Sequence, residues 1–125
     1  NMKFIIRRLK GIIIAINGMF FLLKNEEAIK VQSFVFLIII ALGFYFEITS
    51  KEWIIHIILI GLILTTEALN TVAEKICDLI NPKYDERIKL IKDISAGAVS
   101  FVVLSSLIIL LIIYFPYIKQ LINSI

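Results

Sequence analysis

Glu67-Ala68-Leu69-Asn70-Thr71-Val72-Ala73-Glu74-Lys75-Ile76-Cys77-Asp78 follows the apolar stretch Trp53–Leu64 with only Thr65 and Thr66 between them. Nothing in this run breaks a helix. At about 100° per residue, Glu67, Asn70, Glu74 and Asp78 fall within about 80° of one another, with Thr71 close by. The stretch is therefore a membrane helix carrying an acidic, polar stripe. A carboxylate at the centre of a bilayer costs roughly 2.5–3.5 kcal/mol on insertion scales, so such groups are rare and mark functional sites. Interhelical hydrogen bonding is the ordinary alternative, and it would account for Asn70 and Thr71. It accounts poorly for the added carboxylates.

Composition places the rest of the chain in the same setting. Hydrophobic residues make up 60% of the 125 residues and charged residues 18%, whereas soluble domains run near 45–50% apolar. The expected class is an all-α integral membrane protein with a single domain over residues 1–125. Cys77 is the one cysteine, which rules out a disulfide within the chain. The single histidine, His56, lies among Ile and Leu and reads as a packing or interfacial residue, not a metal ligand. Asn1 reads as an added residue before a natural start at Met2. The apolar run Gly11–Leu23 lacks a small-residue cleavage site, so no cleavable signal peptide is expected.

Three segments are apolar enough to span a ~30 Å hydrocarbon core. Val31–Phe46 holds 16 uncharged residues, Trp53–Thr66 holds 14 and continues into the polar stripe, and Ala96–Ile118 holds 23. The expected spans are residues 28–47, 53–80 and 92–117. Residues 3–23 differ, because Arg7, Arg8 and Lys10 precede an uncharged run of only 13. They read as an amphipathic helix lying on the membrane surface. Asn81-Pro82 ends the second span, since proline disfavours helix at the residue before it. Lys83–Lys92 reads as a charged connector, with Asp93, Ser95 and Gly97 leading into the third span.

Basic residues orient the chain. The part up to Lys30 has six Lys and Arg and Glu74–Asp93 has five, against Lys51 in the first loop and Lys119 in the tail. The N-terminus and the second loop should therefore face the cytoplasm. Trp53, Tyr45, Tyr114 and Tyr117 fit the opposite interface. Rising ~1.5 Å per residue from Trp53, Glu67 lies about 21 Å in and Glu74 about 31 Å in. That geometry suits a reaction between a soluble donor and a membrane-embedded alcohol.

Phosphate-binding GxxxxGK[ST] and the HRD and DFG sets of protein kinases are missing from the sequence. What remains is carboxylates and cations near the cytoplasmic interface. Glu26 and Glu74 together with phosphate oxygens would suit Mg²⁺, which favours oxygen ligands and commonly takes some from substrate phosphates. Lys92 and Arg7 could neutralise phosphate charge. Glu67, deeper and less solvated, is placed to act as general base on an alcohol. Ordinary alternatives stand beside these: a solvated Glu26 next to Glu27, a charged helix start at Lys92 and Asp93, and headgroup contacts for Arg7, Arg8 and Lys10. A reading from another class also stands, a small oligomeric transporter whose buried carboxylate binds protons or cations. No nucleic-acid partner is expected.

The stripe resembles the signature of the prokaryotic diacylglycerol kinase family, Glu-x-aliphatic-Asn-Ser/Thr-x-x-Glu-x-x-x-Asp. Tyr84, Lys92-Asp93 and the small-residue run Ser95–Ala98 follow at that family's spacing, and Asn17-Gly18 and Asn25-Glu26 look like its N-terminal pattern. The likeness extends from about Arg7 to Pro116. It implies a homotrimer of three-span subunits, each with a surface helix, which phosphorylates a lipid alcohol with ATP and Mg²⁺ at sites shared between subunits. Glu67 would be the general base, and Glu26 and Glu74 would hold the metal. Arg7, Tyr84, Lys92 and Asp93 would contact the nucleotide, with Asn70 and Asp78 ordering the site. Cys77 stands where the family has Val, and Ile14 where an aromatic residue could stack on adenine. Phe46–Trp53, Ile80–Tyr84 and Ile91–Ala98 look more like the undecaprenol kinase branch than the diacylglycerol kinase branch. The substrate implied is therefore undecaprenol, with diacylglycerol as the alternative.

Overall fold

The structure, a computed structural model, describes all residues from Asn1 to Ile125. It is all-helical: α1 spans Met2–Asn25, α2 Glu27–Tyr45, α3 Ser50–Ile80 and α4 Glu86–Asn123. Three of these, α2, α3 and α4, are long and apolar enough to cross a membrane. Their 19, 31 and 38 residues correspond to about 28, 46 and 57 Å of helix. The last two therefore exceed a ~30 Å core and carry their polar ends beyond it. The most extensive packing is α3 on α4, followed by α2 on α3 and α1 on α2.

Local chemistry sets each helix end. Glu26 alone separates α1 from α2; it is extended (φ −97°, ψ 116°), and its N–H still bonds Leu22 O while its own carbonyl accepts from Lys30 N. Asn25 Nδ2 caps another terminal carbonyl, Phe21 O, at 2.9 Å. α2 ends in a Schellman-type turn, in which Ile48 N–H bonds Gly43 O at 3.1 Å and Glu47 takes a left-handed φ of 51°. α3 then starts with a capping box between Thr49 and Glu52, three residues before the expected start at Trp53.

The charged segment Lys83–Lys92 is not the connector that hydropathy suggests. α4 takes up most of it, beginning at Glu86, six residues ahead of the expected span. Asp85 caps that start by accepting from Arg87 N–H at 2.8 Å, and the Arg87 side chain holds its carboxyl down to about 2. The segment is rich in Glu, Arg and Lys, which favour helix, and Lys89 pairs with Asp93 one turn on at 2.6 Å. At its other end α4 runs through Pro116 to Asn123, beyond the expected limit at residue 117.

The buried core lies at the end of the bundle that holds the α2–α3 turn. Ile48, Ile113 and Tyr114 pack there with Phe46, Trp53 and Tyr117. His56, 1% exposed, joins them: its Nε2 lies 2.8 Å from Tyr114 Oη and its Nδ1 2.6 Å from Glu52 O. Tyr117 Oη donates to the Glu52 carboxylate. Each polar group in this apolar corner thus has a partner, as burial demands. Trp53 meets Phe44 in a tilted ring contact at 4.9 Å and lies against Gly43, where a Cβ would meet its Cη2 at 2.7 Å and its Cζ2 at 2.9 Å. Gly43→Ala is expected to cost about 1–3 kcal/mol through this overpacking. The check is the thermal unfolding midpoint in detergent, and an unchanged midpoint would mean that Trp53 yields freely.

Candidate active site

At the opposite end lie the α1–α2 junction, the last third of α3, the connector at residues 81–85 and the first turns of α4. The polar stripe of α3 lies on a gradient of exposure. Glu67 (8% exposed), Asn70 (8%) and Thr71 (5%) are buried, while Glu74 and Asp78 are exposed. The helix thus carries one set of acids from the protein interior out to its exposed surface.

Glu67 has one side-chain partner: Gln32 Nε2 of α2 donates to its Oε2 at 3.3 Å. Thr71 Oγ1 donates to the Glu67 backbone carbonyl at 3.2 Å, so the hydroxyl fixes the helix and leaves the carboxylate free. Asn70 Nδ2 donates to Glu74 Oε1 at 3.4 Å. The other amide oxygens, Asn70 Oδ1 and Gln32 Oε1, are buried without a partner, as are Ser33 Oγ and Ser106 Oγ. Buried acceptors without donors are uncommon in folded proteins. Asn70 and Gln32 place two of them beside two of the stripe's three carboxylates, Glu74 and Glu67.

The more exposed charged residues pair across helices. Lys92 Nζ of α4 reaches Asp78 Oδ1 of α3 at 2.6 Å. Lys75 Nζ reaches Glu26 Oε1 at 3.4 Å and lies 5.8 Å over the Phe21 ring. The α3 turn that bears Glu74 is thus within one lysine side chain of Glu26. No group of three or more His, Cys, Asp or Glu comes together anywhere in the chain. A divalent cation at Glu26 and Glu74 would need further oxygens, and the unpartnered Asn70 Oδ1 beside Glu74 is one. This all-oxygen donor set fits Mg²⁺, which fills out its shell with water and phosphate.

Tyr84, Lys83, Lys89 and Lys92 line a cleft of about 240 Å³ between the connector and α4, with Asp85 at its edge. Asp93 is turned to Lys89. Arg7 is not brought to this end. The groove beside it is lined by α1 residues only, among them Phe4, Arg8 and Ile12, and 18 residues of straight helix, about 27 Å, separate Arg7 from Asn25. Ile14 is also on α1 and is exposed. Met19, Leu22, Ile29, Leu64 and Ala68 line an apolar groove of about 330 Å³ together with Thr65, so residues on either side of Glu67 in sequence open onto it.

Glu67, Asn70, Glu74, Asp78, Lys92 and Glu26 were all legible as candidates, because charge in an apolar context is a local signal. Gln32 and Lys75 were not. Gln32 is a lone amide in an apolar run and Lys75 one lysine among several, and only the packing of α2 and of the α1–α2 junction on α3 gives them partners.

The prokaryotic diacylglycerol kinase family model matches residues 13–114 of the chain. Among characterised proteins, the undecaprenol kinase of Bacillus subtilis (strain 168) is 33% identical over 110 residues, covering 88% of this chain and 89% of that enzyme.

Proposed function

We propose that this chain, which belongs to the prokaryotic diacylglycerol kinase family and is a lipid kinase, phosphorylates undecaprenol with Glu67 as general base. ATP is the phosphoryl donor. The observation that carries the mechanism is a carboxylate only 8% exposed, held from one side by Gln32 at 3.3 Å and flanked in sequence by residues of an apolar groove. A lipid hydroxyl entering from the inner leaflet meets Glu67. Glu67 takes the hydroxyl proton as the oxygen attacks the γ-phosphorus, and ADP leaves in line. Gln32 keeps the carboxylate turned to the substrate. Lys92, steadied by Asp78, faces the phosphates, with Tyr84 in the connector cleft and Asp93 held next to it by Lys89.

Glu26 and Glu74 would hold Mg²⁺, with Asn70 positioning Glu74. The ion would supply positive charge against the phosphates of the donor. Positioning and electrostatics account for the rest of the rate, since no covalent enzyme intermediate is formed.

The site is shared within a homotrimer in this reading. The connector cleft, at about 240 Å³, falls below the ~300–1,000 Å³ usual for small-molecule sites. α1 buries no residue within its own chain, and Arg7 lies far from Lys92's end of the bundle. A neighbouring subunit would supply the missing wall, with α1 lying along the inner-leaflet surface and the N-terminus in the cytoplasm. The transporter reading gives way to the lipid kinase family.

The test offers undecaprenol and diacylglycerol separately, in mixed micelles with Mg²⁺ and γ-labelled ATP. At least a tenfold preference for undecaprenol in kcat/KM is expected. Preference for diacylglycerol would assign the chain to the other branch of the family.

A further inference from the structure

Lys75 has no part in the mechanism above, yet its ammonium occupies the carboxylate assigned to the metal. We propose that Lys75 is a placeholder for the divalent cation on Glu26: it neutralises Glu26 while the metal is absent and leaves when the metal binds. This rests on the reading of Glu26 as a metal residue.

Three observations carry it. Glu26 is the only residue between α1 and α2, and its backbone is fixed by hydrogen bonds in both directions. Its carboxylate, 24% exposed, therefore stays near one place with or without a cation. Its cationic partner, Lys75 Nζ, comes from α3 at 3.4 Å. That is longer than the 2.7–2.9 Å of a tight charge-assisted hydrogen bond, so the pair is loosely held. Lys75 is also free to leave. Its side chain is 59% exposed, so it can swing outward from Glu26 and from the Phe21 ring, which lies 5.8 Å beneath its ammonium in the paired position.

The ammonium and a divalent ion cannot share Glu26 Oε1 without strong repulsion. Each therefore excludes the other, and the apparent metal affinity falls by the fraction of time that Lys75 holds the carboxylate. The ion pair keeps a part-buried carboxylate neutralised at the α1–α2 junction between catalytic cycles. It also makes metal occupancy depend on the arrival of phosphate oxygens that complete the shell.

The experiment measures Mn²⁺ binding to the folded, nucleotide-free protein in micelles, by the electron paramagnetic resonance signal of free Mn²⁺. Wild type, Lys75→Met, Lys75→Arg, Glu26→Gln and the Glu26→Gln/Lys75→Met double variant are compared. Lys75→Met should bind Mn²⁺ about three- to fivefold more tightly, which corresponds to Lys75 holding Glu26 about 65–80% of the time. Lys75→Arg should stay within about twofold of wild type, because it keeps the charge. In the Glu26→Gln background the Lys75→Met change should alter affinity by less than about twofold, or no site should remain to measure. Equal tightening in both backgrounds would reveal a general field effect and overturn the placeholder, as would no tightening at all. Unchanged Mn²⁺ binding in Glu26→Gln alone would instead remove Glu26 from the metal site, a separate failure.

Discussion

Glu67→Gln is expected to lower kcat about 10²–10⁴-fold, the range that a positioned general base supplies, while ATP binding stays within about twofold. Glutamine keeps the shape of the side chain and can still meet Gln32 through its amide oxygen, so the α2–α3 contact at 3.3 Å should survive. Thr71 bonds the backbone at residue 67 and not the side chain, and the helix should be undisturbed. What is lost is the capacity to take a proton from the lipid hydroxyl. The nucleotide is assigned to the connector end, where Lys92 and Tyr84 lie. A loss confined to kcat therefore separates proton abstraction from donor binding. Phosphoryl transfer to undecaprenol and equilibrium nucleotide binding should be measured on the same preparation. Full turnover in the variant would remove Glu67 from the role of base.

Lys92→Met should cost about 10²–10³-fold in kcat, as expected when a charged donor facing the transition state is removed. The loss should be accompanied by little change in stability. Lys92 is 36% exposed and Asp78 61% exposed, and an exposed ion pair contributes at most ~1 kcal/mol. The Lys92–Asp78 contact at 2.6 Å instead holds the ammonium in one place on α4. Asp78→Asn keeps Lys92 but frees it, and should therefore lose activity by only about a tenfold factor. Single-turnover phosphoryl transfer beside a thermal midpoint measures both quantities. A larger loss in Asp78→Asn than in Lys92→Met would mean that Asp78 acts directly and not through Lys92.

These two sites differ in how far the sequence reveals them. Glu67 stands out because a carboxylate within an apolar helix is costly, and cost is a property of one residue and its neighbours along the chain. Lys92 is less distinct, since a charged residue before a span is ordinary. The helical turns just before it are hidden from hydropathy as well. Hydropathy places the span at 92, whereas helix propensity, the Asp85 cap and the Lys89–Asp93 pair start α4 at Glu86. Hydropathy measures transfer from water to lipid, and a charged helix outside the bilayer is invisible to it. His56 shows the same limit at the other end: its partner Tyr114 lies 58 residues away.

By itself, the sequence determined the membrane class, the three apolar helices and the acidic stripe, together with the family signature that names the chemistry. Each of these follows from side chains spaced along one helix, where 1.5 Å per residue converts spacing directly into depth and face. Only the tertiary structure decided which groups face one another: Gln32 with Glu67 across 35 residues, Lys75 with Glu26, and Lys92 with Asp78. Hydrophobicity drives a helix into the bilayer but does not choose its neighbour, since lipid tails are as apolar as leucine. The choice falls to packing and polar contacts between helices distant in sequence.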